Sequence, residues 1–274
     1  MKISKGVMGI FLMLLISGVS ADNHNIKTVR ADLLKASNLD EGGAYVRKRF
    51  LGLLKKPFDK KDSRKKLLLI GDSHAQDFLN AVMENNYLSH YQIRTRYIPT
   101  LCQMVLSNEN TSKFIDRKHH KLCNESDDLA QMRGQIAEAD SIILSANWRQ
   151  WSAERLPQTI KNLKLRSDQK LVVIGRKSFG RIKARKYLRM SLEDLKAVVN
   201  KVDGHQERIN RLMKKTVSPK HFVDIQKRVC GYADKCPIMT PSMRLLSFDG
   251  GHFTQAGAKF AGQRLFIVEP LKTL

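Results

Sequence analysis

Three short apolar runs punctuate the middle of the sequence: Leu67 to Gly71 reads LLLIG, Ser141 to Ala146 reads SIILSA, and Leu171 to Gly175 reads LVVIG. Each is too short for a buried helix, and none alternates with polar residues. That pattern marks a strand covered on both faces, as in a parallel sheet. Gln92 to Ile98 and His221 to Ile225 supply two further strand signals. Helical spacing fills the intervals, over Ala75 to Asn85, Ser126 to Ala139, Ala153 to Leu165 and Leu192 to Lys215, the last broken near Gly204. Ser126, Asp127 and Asp128 suit a helix N-terminus. Thr254 to Ile267 reads as a closing helix capped by Thr254. Strand–helix alternation predicts one α/β domain, a three-layer α/β/α sandwich around a five-stranded parallel sheet with right-handed crossovers.

Open parallel sheets place their sites beyond the carboxyl ends of the strands. Three polar clusters fall there. Gly71-Asp72-Ser73-His74 follows the first strand and opens a helix, so the Ser73 hydroxyl is exposed at the sheet edge. The helix N-terminus, including the Ser73 backbone N–H, then offers donors to an oxyanion. Asp249-Gly250-Gly251-His252 precedes the closing helix. Its spacing lets one turn present an imidazole as base and a carboxylate that fixes the tautomer and stabilises imidazolium. Asn147, after the third strand, can add an amide donor to the oxyanion. Candidate catalytic residues are therefore Ser73, Asp249 and His252, with Ser73 and Asn147 as oxyanion donors. His74, Trp148 and Arg149 are candidate substrate-binding residues. The bland counterparts are a helix cap at Ser73, a turn former at Asp249 and an ordinary loop amide at Asn147.

Residues 1–21 form a different kind of sequence. Lys2 and Lys5 precede the apolar run Val7 to Ile16, and SGVSA follows. This is the pattern of a secretory signal peptide cleaved after Ala21, and the run falls short of the ~20 residues that span a bilayer. Residues 22–64 read as an N-terminal extension with short helices around Val29 to Ala36 and Ala44 to Leu54, ending in a basic linker. Residues 65–274 form the catalytic domain. Four cysteines in an exported chain read as two disulfides. Three connectivities are open; Cys102–Cys123 with Cys230–Cys236 closes the most local loops. The cysteine spacings match no common zinc pattern, so no metal and no cofactor are expected. The net charge is +23. In an exported protein that charge favours an anionic envelope glycan or lipopolysaccharide over nucleic acid, and a periplasmic or secreted location.

LLLIGDSHAQDF, the pair Cys102 and Cys123, IILSANW, and Cys230 with Cys236 before FDGGHFTQAGA together resemble the SGNH hydrolase family. The likeness is greatest to the SGNH domains fused to acyltransferase-three membrane proteins, and it runs from about Phe50 to Leu265. It implies the sheet order 2-1-3-4-5 of the SGNH and flavodoxin-like group. It also implies an exported serine esterase or O-acyltransferase that removes or transfers O-acetyl groups on cell-envelope carbohydrate through an acyl-Ser73 intermediate. No acyltransferase membrane segment accompanies the domain in this sequence, so transfer would draw on a separate membrane acyltransferase. One departure favours a different class, a non-catalytic glycan- or envelope-binding module. The family's second block supplies a Gly oxyanion donor, and no Gly lies between Gly71 and Gly134. A backbone N–H of the Pro99 to Gln103 loop is the expected substitute.

Overall fold

The computed structural model describes residues 25–274. The leader expected at residues 1–21 lies outside them. Two helices come first. α1 (Ile26–Ala36) is capped by the Asn25 side chain and α2 (Leu39–Gly52) by that of Asn38. The main domain then runs β1 (Lys65–Gly71), α3 (Ser73–Met83), β2 (Tyr91–Tyr97), α4 (His120–Glu125), α5 (Arg133–Glu138), β3 (Ser141–Ser145), α6 (Gln150–Glu154), α7 (Leu156–Leu163) and β4 (Lys170–Ile174). It continues through α8 (Ala184–Tyr187), α9 (Leu192–Ala197), β5 (Val199–Lys201), α10 (Gly204–Thr216), β6 (Phe222–Val223), α11 (Ile225–Cys230), β7 (Lys235–Pro237) and α12 (Gln255–Leu265).

The main sheet has the order β2-β1-β3-β4-β6, all parallel. Counting only its own strands, this is the 2-1-3-4-5 arrangement. Leu67 and Leu69 of β1 point to one face with Phe78, Leu79 and Ala261, while Leu68 and Ile70 point to the other with Ile142, Leu144 and Trp148. Period-two alternation across a sheet buried on both faces produces this division. β1, β3 and β4 register Gly71 against Ser145 and Ser145 against Ile174, so the three strands end level. The loops that follow them therefore emerge side by side.

Several expected elements differ. Of the single helix expected over 126–139 only α5 forms, after irregular chain that follows the end of α4. Ser126 closes α4, its hydroxyl donating to the Leu122 carbonyl at 2.6 Å. Asp127 is drawn between Lys55 and Arg96, at 3.1 Å from each, so neither residue caps a new helix. The helix expected over 153–165 splits at Arg155, because Pro157 is tolerated at the first positions of α7 but not inside a continuous helix. Between α9 and α10 the β-branched Val198 and Val199 leave the helix, and β5 pairs antiparallel with β7. The Asp203 side chain accepts from the His205 N–H to restart α10.

The extension is packed on the domain. α1 places Val29 and Leu33 in an apolar cluster with Tyr187, Leu195 and Ile238. α2 lies along α3, where Asn80 Nδ2 donates to the Val46 carbonyl at 3.2 Å, and Phe50 is fully buried in the main core. Phe50→Ala should therefore lower the stability of the whole domain by about 3–5 kcal/mol, the usual cost of emptying a buried Phe site. Urea unfolding followed by tryptophan fluorescence checks this. An unchanged midpoint would show that the extension folds apart from the sheet.

Candidate active site

Gly71 ends β1 at φ 154°, and a Cβ there would lie 1.7 Å from the Ser145 carbonyl oxygen. Only glycine lets the chain leave β1 this close to β3. Asp72 then caps α3, whose first helical residue is Ser73. The Asp72 side chain takes the His74 N–H at 2.8 Å, and its carbonyl takes those of Ala75 and Gln76 at 3.0 and 3.2 Å. This leaves the Ser73 N–H as the uncommitted donor of the first turn, where the helix dipole favours negative charge.

Asp72 is fully buried and reaches beyond its own helix. Thr100 Oγ1 donates to Oδ2 at 2.7 Å, and the Asn147 N–H donates to both oxygens at 3.1 and 2.9 Å. Burial pushes its carboxyl above the usual range, against the pull of the Thr100 hydroxyl and the two backbone N–H groups. Gln103 makes a second tie. Its Nε2 donates to the carbonyls of Thr100, at 2.6 Å, and Asn147, at 3.2 Å, while its Oε1 accepts from the Arg149 N–H at 2.9 Å and from Ser152 Oγ. The loops after β1, β2 and β3 are thus one hydrogen-bonded unit. Within the Pro99–Gln103 loop, Cys102 and Gln103 both donate to the Pro99 carbonyl, at 2.9 and 3.1 Å. Proline has no N–H, so Thr100 and Leu101 are the loop's backbone donors left for an oxyanion.

The acid–base turn is equally fixed. Asp249 Oδ2 lies 2.6 Å from His252 Nδ1, and Oδ1 accepts the N–H groups of Gly251 and His252 at 2.8 Å each. Gly250, at φ 94°, packs so tightly that a Cβ would stand 2.0 Å from the Gly180 carbonyl. Ser247 Oγ closes the turn, donating to the His252 carbonyl at 2.6 Å and accepting from the Gly250 N–H at 2.9 Å. Burial raises the Asp249 carboxyl, but the His252 hydrogen bond and charge, with the two N–H groups, outweigh it and hold it at about 2. Phe248 stacks on the imidazole with ring centroids 5.9 Å apart. Nδ1 is engaged by Asp249, which leaves Nε2 for proton transfer. The His74 ring stands edge-on to that of His252, with centroids 6.5 Å apart, so His252 lies against the residue next to Ser73.

The structure thus brings Ser73, Asn147, Asp249 and His252 to one end of the sheet. The Asn147 side-chain oxygen is buried with no protein partner. The expected ligand role of Trp148 is corrected. The side chain is fully buried in the core, and its indole N–H donates to the Ile174 carbonyl at 2.8 Å, so no ring face is offered to a ligand. His74 is nearly as enclosed. Burial, followed by the charges of Lys177, His252 and Arg176, pushes its imidazole well below the ordinary value. It is a neutral wall behind Ser73. Arg149 is exposed at the mouth. Cys102–Cys123 ties α4 to the loop after β2, and Cys230–Cys236 ties α11 to β7. Among the described residues, no group of three or more His, Cys, Asp or Glu is placed to hold a metal ion. Sequence reasoning passed over Asp77 and Lys177, a buried ion pair beneath the site. The one available signal was spacing, since Asp77 lies one helical turn beyond Ser73.

A level parallel sheet with a serine turn after β1, an asparagine after β3 and an Asp-x-x-His turn before the last helix defines an SGNH-type domain. The family model described as the SGNH domain fused to AT3 domains matches residues 44–265, and the chain belongs to that family. The fold is similar to the structure of a lipopolysaccharide acetyltransferase periplasmic domain from Salmonella ser. Paratyphi A, with a TM-score of 0.57 at 16% identity, covering 86% of this chain and 97% of that one. No curated protein sequence matches the chain. No helix among the described residues is long and apolar enough to cross a membrane.

The Asp249 carboxyl also sets a pH dependence. Its folded value of about 2 lies below the ordinary 3.8, so its contribution to stability is present in full above the ordinary value and is lost as pH falls through about 2. The thermal midpoint should fall between about pH 5 and pH 2. The fall should be smaller in Asp249→Asn, as differential scanning fluorimetry across that range can test.

Proposed function

We propose that the domain cleaves or transfers acyl esters, O-acetyl groups above all, on exported carbohydrate through an acyl-Ser73 intermediate. The observation that carries this reading is the 2.6 Å Asp249–His252 pair set against the Ser73 turn. Ser73 Oγ attacks the ester carbonyl and gives its proton to His252 Nε2. The carbonyl oxygen becomes an oxyanion, received by the Ser73 N–H, the Asn147 amide and a backbone donor at Thr100 or Leu101. Collapse expels the alcohol, which takes the proton from His252 and leaves the acyl-serine. Water or a sugar hydroxyl, deprotonated by the same imidazole, then releases the acyl group. Asp249 holds the Nδ1–H tautomer and balances the imidazolium throughout.

Membership of the SGNH family supports acyl chemistry, and likeness to a domain of a lipopolysaccharide acetyltransferase supports an O-acetylated envelope glycan as substrate. The net charge of +23 supports an anionic glycan, drawn by long-range attraction that salt weakens. Two disulfides fit an exported protein. A membrane acyltransferase is the source of acetyl groups if the direction is transfer.

A fluorophosphonate should label Ser73, and mass spectrometry should locate the adduct there. Turnover of para-nitrophenyl acetate should be abolished in Ser73→Ala and reduced about 100- to 1000-fold in Asn147→Ala, the usual cost of losing an oxyanion donor. Glycan binding unaffected by Ser73→Ala, with no turnover by either protein, would support the binding module that the missing second-block Gly favours. In cells, deleting the gene and measuring O-acetyl content of envelope glycans by NMR reads the direction. A fall indicates transfer and a rise indicates hydrolysis.

A further inference from the structure

Lys177, the third residue beyond the end of β4, turns inward beneath the site. Its side chain is 1% exposed, and that of Asp77, on α3, is fully buried. Lys177 Nζ lies 2.6 Å from Asp77 Oδ2 and donates a second hydrogen bond to the Gly251 carbonyl. The Asp77 carboxylate in turn receives the Phe253 N–H, 3.3 Å from each oxygen. The rings of Phe179 and Phe253 flank the ammonium, with centroids at 5.4 and 5.0 Å.

The residues gripped are 251 and 253, on either side of His252. The gripping carboxylate stands one helical turn beyond Ser73 on the same helix. We propose that Lys177 and Asp77 are positioning residues, a buried ion pair that fixes the main chain around His252 relative to the helix carrying Ser73. This rests on the reading of Ser73 as nucleophile and His252 as base.

Stability alone is a poor account of such a pair. Removing two charges from water costs several kcal/mol per ion, and well-packed apolar residues often serve a core as well or better. An apolar pair would leave the Gly251 carbonyl and the Phe253 N–H without these partners, and the His252 segment free to shift. A displacement of about 1 Å at a reacting group can cost on the order of a hundredfold in rate.

The test compares Lys177→Met and the double variant Lys177→Met/Asp77→Asn with the full chain, by kcat and KM on para-nitrophenyl acetate and by thermal unfolding. Lys177→Met leaves a buried carboxylate unpaired and should lower both the melting temperature and kcat. The double variant removes that charge and keeps an acceptor for the Phe253 N–H, so its melting temperature should recover. Its kcat should stay down by about a hundredfold with KM unchanged, because Gly251 still lacks its donor. A folded double variant with wild-type kcat would overturn the proposal. So would failure of both variants to fold, which would assign the pair to the fold as a whole. Ser73→Ala is assayed alongside; wild-type turnover there would sink the nucleophile assignment itself, whatever the Lys177 variants do.

Discussion

Asp72 is the acceptor on which the carboxyl end of the sheet converges. One buried carboxylate takes donors from its own helix, from Thr100 after β2 and from Asn147 after β3. A buried donor or acceptor stripped of its partner costs about 1–3 kcal/mol, and more when the group is charged. None of the three loops can therefore drift without a penalty felt by the others. The level ends of β1 and β3, with Gly71 pressed against the Ser145 carbonyl, make the convergence possible. A side chain at position 71 would hold the strands apart, and Asp72 would no longer reach both neighbouring loops.

Asp77 faces the other way from the same helix. Asp72 gathers the loops after β1, β2 and β3, and Asp77, with Lys177, grips the loop that bears His252. The first turn and a half of α3 is thus the common reference for both networks. Ser73 sits between the two carboxylates and belongs to neither network. The elements on either side of it are held by these two networks, and the proposed chemistry would draw on that preorganisation.

Much of this was legible in the residues. LLLIG, SIILSA and LVVIG announce three central strands because a strand covered on both faces has no polar face to conceal it. GDSH and DGGH could be placed at the active end because each adjoins such a strand or the last helix. What stayed hidden depends on tertiary partners. Nothing local says that Asp127 will be drawn to Lys55 and Arg96 rather than cap a helix, since both cations are distant in sequence. The pairing of β5 with β7 depends on a strand more than thirty residues later. Trp148 reads as a ligand platform beside Arg149, and only its contact with Ile174 shows that the indole belongs to the core. Lys177 reads as one more surface lysine in a chain with 49 Lys and Arg.

The choice of acceptor turns on what covers His252. Its side chain keeps 28% of its surface exposed and that of Asp249 keeps 30%, so the base stands at an open mouth. An acyl-Ser73 formed there, on the proposed chemistry, would be reachable by water. Transfer needs an acceptor hydroxyl held near His252 Nε2 closely enough to displace that water, and the advantage of a positioned reactant over bulk solvent is large. Arg149 is exposed after β3 and Arg176 is half-buried after β4, so two cations stand on this side of the sheet end. Under the proposed chemistry, an acceptor that covered the imidazole as it bound would exclude water in the same event.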